Sequence, residues 1–328
     1  MSKENNSLPA KLSRRQVLAT IAGAGAFSSC VVRDAWCDTR YAIRAKQMKV
    51  CIFSKHLQWL NYQGMAETAA DIGFDGVSLT VRPRGHVLPE NVQTDLPKAT
   101  EAAKKAGIEI TTITTAITDP RDHHTESILK TASELGIRYY RMGYFRYEEA
   151  KSIPSKLAEV KPILRDLAAM NKHYAIFGGY QNHAGSKYVG AAVWDLWQLL
   201  KDLDRRWIGC QFDIRHATVE GGTVWPIHFR LLSPYIKMIV AKDFRWVKKG
   251  KTWKTENCPL GEGMVDFTRY FKMLKQAKIS GPISLHLEYP LGGAEKGAKQ
   301  LTIKKEEVLA AMRRELKVLR GWLRQADL

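Results

Sequence analysis

An alternation constrains this chain more than any other feature. From Lys49 onward, short β-branched or aromatic runs recur, each followed by a stretch with apolar residues at helical spacing. The strand candidates are Lys49–Ser54, Gly76–Val81, Glu109–Ala116, Tyr139–Gly143, Ala175–Gln181, Ile208–Asp213, Ile236–Asp243 and Pro282–Glu288. Helix candidates between them include Gln63–Ile72, Leu96–Ala106, Thr125–Leu135, Ser155–Asn171, Trp194–Leu203 and Phe267–Ala277, and Lys304–Leu323 closes the series. Eight such units in about 280 residues predict an α/β chain folded as a single (β/α)8 TIM barrel over residues 49–328. A doubly wound sheet is the competing architecture. The first strand, however, is not followed by the G-x-G-x-x-G turn that would cradle a dinucleotide, so no nucleotide cofactor is expected.

Composition agrees with a globular chain: of 328 residues, 45% are hydrophobic and 26% charged, which excludes disordered and collagen-like classes. Five cysteines without a CxxC pair make neither a disulfide framework nor a structural zinc site. The formal charge of +18 is unusual and raises a nucleic-acid reading. The basic residues are spread along the chain, as in Lys237–Lys254 and Lys296–Lys305, so a solvated face is expected and nucleic acid is not an expected partner.

The first thirty residues read as an address. Ser13-Arg14-Arg15-Gln16-Val17-Leu18 precedes a weakly apolar run through Phe27, which resembles a twin-arginine (Tat) export signal. That run is too short to span a bilayer. Phe27-Ser28-Ser29-Cys30 loosely resembles a lipobox, making Cys30 a candidate lipid-anchor site, and residues 31–48 read as a linker. The expectation is a protein exported by the Tat translocase to the periplasm, free or lipid-anchored. Homo-oligomerisation is left open.

In a barrel of this kind the active site gathers at the C-terminal ends of the strands, and strand alternation selects the inward residues. The inward polar set begins with His56, Arg82, His86 and Arg141 from the first four strands. Strand five adds Gln181 and His183, strand six Asp213 and then Arg215 and His216, strand seven Lys242, and strand eight His286 and Glu288. Burying so many ionisable groups is costly unless they pair or bind something. Carboxylates beside imidazoles have the composition of an acid–base or divalent-metal site.

Several segments carry a family resemblance. They are Gly73-Phe74-Asp75-Gly76-Val77, Gln181-Asn182-His183-Ala184-Gly185, Phe212-Asp213-Ile214-Arg215-His216, Ala241-Lys242-Asp243, Pro259-Leu260-Gly261-Glu262-Gly263 and Gly281-Pro282-Ile283-Ser284 leading to Glu288. In this order they resemble the xylose-isomerase-like TIM barrels named sugar phosphate isomerases/epimerases, relatives of tagatose 3-epimerase. The resemblance implies a divalent metal, often manganese, held by Glu after strand five, Asp after strand six, His on strand seven and Glu on strand eight. Asp213 matches the strand-six ligand, His216 matches a substrate-contacting His, and the strand-eight Glu falls on His286 or Glu288. Gln181 stands where Glu is implied and Val240 where His is implied. Either the metal is lost, or manganese or zinc is re-sited on His183, Asp213, His286 and Glu288.

The implied chemistry is proton removal next to the carbonyl of a sugar or keto-sugar, by an isomerase or epimerase. Glu288, His286 or His183 would serve as base, with the metal or Lys242 stabilising the enediolate. His56, Arg82, His86, Arg141, Gln181, Arg215, His216 and Trp225 would contact the sugar. A β-eliminating lyase acting on 3-keto-glycosides and an inactive sugar-binding barrel are the alternatives. The loop Arg245–Asn257, with Trp246 and Trp253 among lysines, reads as a lid or a subunit contact.

Overall fold

The computed structural model describes residues 48–328. The twin-arginine segment, Cys30 and the linker up to residue 47 lie outside the described residues. Eight parallel strands close a barrel: β1 Val50–Phe53, β2 Gly76–Thr80, β3 Glu109–Thr114, β4 Tyr139–Arg141, β5 Phe177–Gln181, β6 Ile208–Asp213, β7 Ile236–Ala241 and β10 Ile283–Leu285. All eight expected strands are present, and β1 pairs with both β2 and β10 to complete the ring. The remaining two strands, β8 Asp243–Lys249 and β9 Thr252–Cys258, form an antiparallel hairpin after β7. The segment read from sequence as an irregular loop is therefore a paired ribbon.

Around the barrel lie α1 Tyr62–Ile72, α2 Val92–Lys105, α3 Thr125–Glu134, α4 Ile153–His173, α5 Val193–Leu200, α6 Ile214–Gly221, α7 Trp225–Leu232, α8 Phe267–Gln276 and α9 Lys305–Gln325. The sequence reading did not name α6 and α7. They are eight residues each and are separated by the 3-10 turn Gly222–Val224, so the Gly221-Gly222 pair interrupts the apolar pattern between them. Among the described residues no helix is long and apolar enough to cross a membrane.

Alternation divides each strand between two layers. On β6, Cys210 and Phe212 face outward, and Phe212 packs on Phe229 of α7 and Tyr270 of α8. Gln211 and Asp213 take the opposite parity and face the barrel interior. The loop Pro259–Gly263 is tied to the top of β7 by one side chain: Asp243 accepts from the backbone N–H groups of Phe244, Gly261, Gly263 and Val265. A Cβ at Gly263 would lie 2.2 Å from Asp243 Oδ1, so this close approach requires glycine.

Candidate functional site

A cavity of about 180 Å³ opens at the C-terminal ends of the strands. Its wall includes seven residues expected from sequence: Arg82, Arg141, Gln181, His183, Lys242, His286 and Glu288. Phe53, Lys55 and Tyr144 complete it, and the sequence reading missed all three.

The centre of the site is an ammonium group. Lys242 follows β7 by one residue, and its Nζ lies 3.1 Å from Asp213 Oδ2, 3.2 Å from Glu288 Oε2 and 2.8 Å from His216 Nε2. Three N–H bonds thus meet three neighbouring acceptors. Asp213 ends β6 and caps α6, its Oδ1 accepting from the His216 N–H. Asn182 clamps the Asp213 backbone from both sides, donating to its carbonyl and accepting from its N–H. Gln181 donates from Nε2 to Asp213 Oδ2 at 2.6 Å and accepts at Oε1 from the Tyr144 hydroxyl. Glu288 Oε1 pairs with Lys55 at 2.9 Å, and Asn257 of the hairpin donates to the Glu288 carbonyl.

These contacts settle the charges. Burial pushes the Glu288 carboxyl upward, but Lys242 and Lys55 outweigh it and hold the group well below the usual carboxylate range. Burial disfavours the Lys242 ammonium, but Asp213 and Glu288 reverse this and raise its pKa. Asp213 itself is raised by burial against the pull of Lys242. Burial, reinforced by the Lys242 charge, lowers His183 to about 4. Burial likewise takes His286 to about 3, so both imidazoles are neutral near pH 7. His183 Nδ1 must donate to the Ala184 carbonyl at 2.9 Å, because a carbonyl can only accept. Its Nε2 is left with the lone pair.

Six expected residues do not line the cavity: Asp213 and His216 stand behind Lys242, and four others lie farther off. His56 is fully buried: Nδ1 donates to the Ala294 carbonyl, and Nε2 accepts from the Leu287 N–H, bracing the chain between His286 and Glu288. His86 donates from Nε2 to the Leu57 carbonyl and accepts from Ser54, facing a separate depression beside Trp59 and Tyr62. Arg215 lies over the Phe244 ring, with Nη1 3.1 Å from His216 Nδ1. Trp225 begins α7 and packs against Tyr270 and Arg269 in the helical layer. His216 and Asp213 stand immediately behind Lys242, and the His183 and His216 rings are 4.0 Å apart.

The set Asp213, Glu288, His183 and His286 does not fit a metal ion. Lys242 Nζ lies between the two carboxylates that would hold one, and Gln181 donates a hydrogen bond to Asp213 at the adjoining position. His183 spends Nδ1 on a carbonyl, and His286 Nε2 contacts Ser284. Among the described residues no three His, Cys, Asp or Glu side chains are placed to bind a metal. Of the two alternatives left by the sequence, a lost metal or a re-sited one, the re-sited centre does not fit these side chains: a protein-borne cation takes the position between the carboxylates.

The family profile for the xylose isomerase-like TIM barrel matches residues 66–312. No curated protein matches the sequence significantly. The fold is similar to that of 3-keto-D-glucoside 4-epimerase, YcjR, from E. coli, with a TM-score of 0.60 and 16% identity, covering 84% of this chain and 100% of that one. It is also similar to D-psicose 3-epimerase from Clostridium cellulolyticum, solved with D-tagatose, at a TM-score of 0.63 and 13% identity over 84% and 99% of the chains. The IOLI protein, solved with a bound zinc atom, gives a TM-score of 0.61 at 14% identity over 84% and 99%.

Proposed function

Because this chain belongs to the xylose isomerase-like TIM barrel family, we propose that its cavity moves a proton on the carbon next to the carbonyl of a sugar or keto-sugar. The observation that carries this is the Lys242 ammonium bridging Asp213 and Glu288 beside a cavity-lining imidazole. Glu288 is the base, ionised at neutral pH and held in place by Lys55 and Lys242. It takes the proton from carbon, and the electron pair moves onto the carbonyl oxygen. Lys242 places a fixed positive charge where that enediolate charge develops. Neutral His183, with its free Nε2, relays the proton between the two substrate oxygens, and Glu288 returns its proton to the neighbouring carbon.

Gln181 favours chemistry with one base. An amide cannot abstract a proton, so an epimerisation that needs carboxylates on both faces of the substrate lacks its second member. The reading is thus 1,2-isomerisation. Where a leaving group sits β to the acidic carbon, the same deprotonation ends in elimination, as for a 3-keto-glycoside. Export through the twin-arginine segment, also our proposal, would present free or oxidised sugars.

The test is proton NMR in D2O with a panel of ketoses and 3-keto-glycosides. Solvent deuterium should enter the carbon next to the carbonyl, and Glu288→Gln should slow this by about 10²–10⁴-fold. Dialysis against EDTA should leave the exchange unchanged, because Lys242 supplies the cation. Saturable sugar binding with no exchange would establish the inactive sugar-binding barrel instead. Exchange lost to EDTA and restored by Mn²⁺ would overturn the role given to Lys242.

A further inference from the structure

The cavity holds more positive charge than its own carboxylates can balance. Four cations line it, Lys55, Arg82, Arg141 and Lys242, and one carboxylate, Glu288, with Asp213 behind Lys242. Lys55 is matched to Glu288 and Lys242 to Asp213. Two guanidinium groups remain.

Neither has a carboxylate partner among the described residues. Arg141 is only 5% exposed, yet of its five N–H donors only those on Nη2 are engaged, with the Thr115 carbonyl at 3.2 Å, and its buried Nε has no partner. Its Cζ lies 4.8 Å from the centre of the Tyr144 ring. The Arg82 guanidinium stands 5.6 Å from the centre of the Phe53 ring and makes no side-chain hydrogen bond. Burial, together with the like charge of Arg141, lowers Arg82 to about 10, a sign that the two cations share a poorly solvated space. A folded chain gains nothing from two such groups crowded together, because partly desolvated like charges are costly. A ligand oxyanion would offset that cost, and the planar guanidinium fork matches carboxylate and phosphate geometry.

We propose that Arg82 and Arg141 form an oxyanion site, so that this barrel acts on a sugar derivative carrying a carboxylate or a phosphate. The identity of the remainder as a sugar rests on the function proposed above; the anion site does not. The cavity is smaller than the 300–1,000 Å³ usual for drug-sized ligands, which suits one short or single-ring molecule.

Isothermal titration calorimetry at low ionic strength, with inorganic phosphate and with glycolate as separate probes, tests the site. At least one probe should bind saturably at one site per chain. Arg82→Gln and Arg141→Gln should each weaken that site roughly 10- to 100-fold, the worth of a charge-assisted hydrogen bond. Lys251→Gln, on the exposed hairpin tip, should leave it unchanged. Tighter phosphate points to a sugar phosphate and tighter glycolate to a sugar acid. Absence of saturable binding by either probe overturns the proposal, as does binding that both arginine variants retain. Failure of deuterium exchange with intact anion binding would instead count against the proton-transfer chemistry alone.

Discussion

The two sides of the barrel mouth differ in how their charges are settled. On the side built by β5, β6, β7, β10 and the turn after β1, Asp213, Lys242, Glu288 and Lys55 pair with one another, and Gln181 and Asn182 fasten Asp213. On the side built by β2 and β4, Arg82 and Arg141 face the same cavity with no carboxylate partner among the described residues. The first side is complete as folded. The second becomes complete only when something negative enters. This asymmetry separates what the chain needs for stability from what it holds for a ligand, and substitutions on the two sides should have opposite consequences.

The largest effect is expected on the paired side. Lys242→Met leaves Asp213 buried without its cation, and breaking a buried pair in this way costs about 3–5 kcal/mol. Urea unfolding should show that loss, and deuterium exchange should vanish with it. The double variant Lys242→Met/Asp213→Asn removes both charges and should recover most of the stability but none of the exchange. If the single variant is as stable as wild type, the pair is not the anchor of this side.

That pairing also marks where the sequence stopped being informative. The eight strands and the inward parity of Gln181, Asp213, Lys242 and Glu288 could be read, because strand alternation holds to the last residue of β5, β6 and β7. It fails after β1. A 3-10 turn at Ser54–Leu57 rotates the chain, so Lys55 enters the cavity and His56 turns into the wall. Tyr144, three residues past β4, lies beyond the strand as well. Applying the strand-end rule to β1 and β4 with a turn allowed would have raised both. The cation between the carboxylates was illegible for a different reason: spacing places Lys242 at the rim, but only side-chain packing brings its Nζ between Asp213 and Glu288.

An intermediate effect should appear with pH. His86, His183 and His286 have folded-state pKa values of about 4, 4 and 3, each lowered chiefly by burial from a model-peptide value of 6.5. Between pH 6.5 and about 4 the unfolded chain therefore binds protons that the native chain refuses, so stability falls as the solution is acidified. The Glu288 carboxyl, depressed on balance by Lys242 and Lys55, acts in the same direction at lower pH: its contribution is full above the unfolded value of 4.5 and is lost below it. The unfolding free energy from urea titrations should drop from pH 7 to pH 5 by roughly 1 kcal/mol or more for each histidine. His183→Asn should flatten the profile by one histidine's share. A profile flat from pH 7 to 5 would contradict the buried, neutral imidazoles.

The smallest effect tests the unpaired side. Arg82→Gln removes a charge that repels Arg141 and makes no side-chain hydrogen bond among the described residues. Without ligand, its melting temperature should equal or slightly exceed that of wild type, by up to a few degrees for a change of about 1 kcal/mol or less. With 10 mM phosphate or glycolate present, whichever of the two binds, the order should reverse, because wild type gains stability from ligand binding and the variant does not. A residue held for packing would give the opposite result in the absence of ligand, with Arg82→Gln melting lower. The sign of one melting difference, measured with and without a simple anion, therefore decides whether the two guanidinium groups belong to the fold or to the substrate.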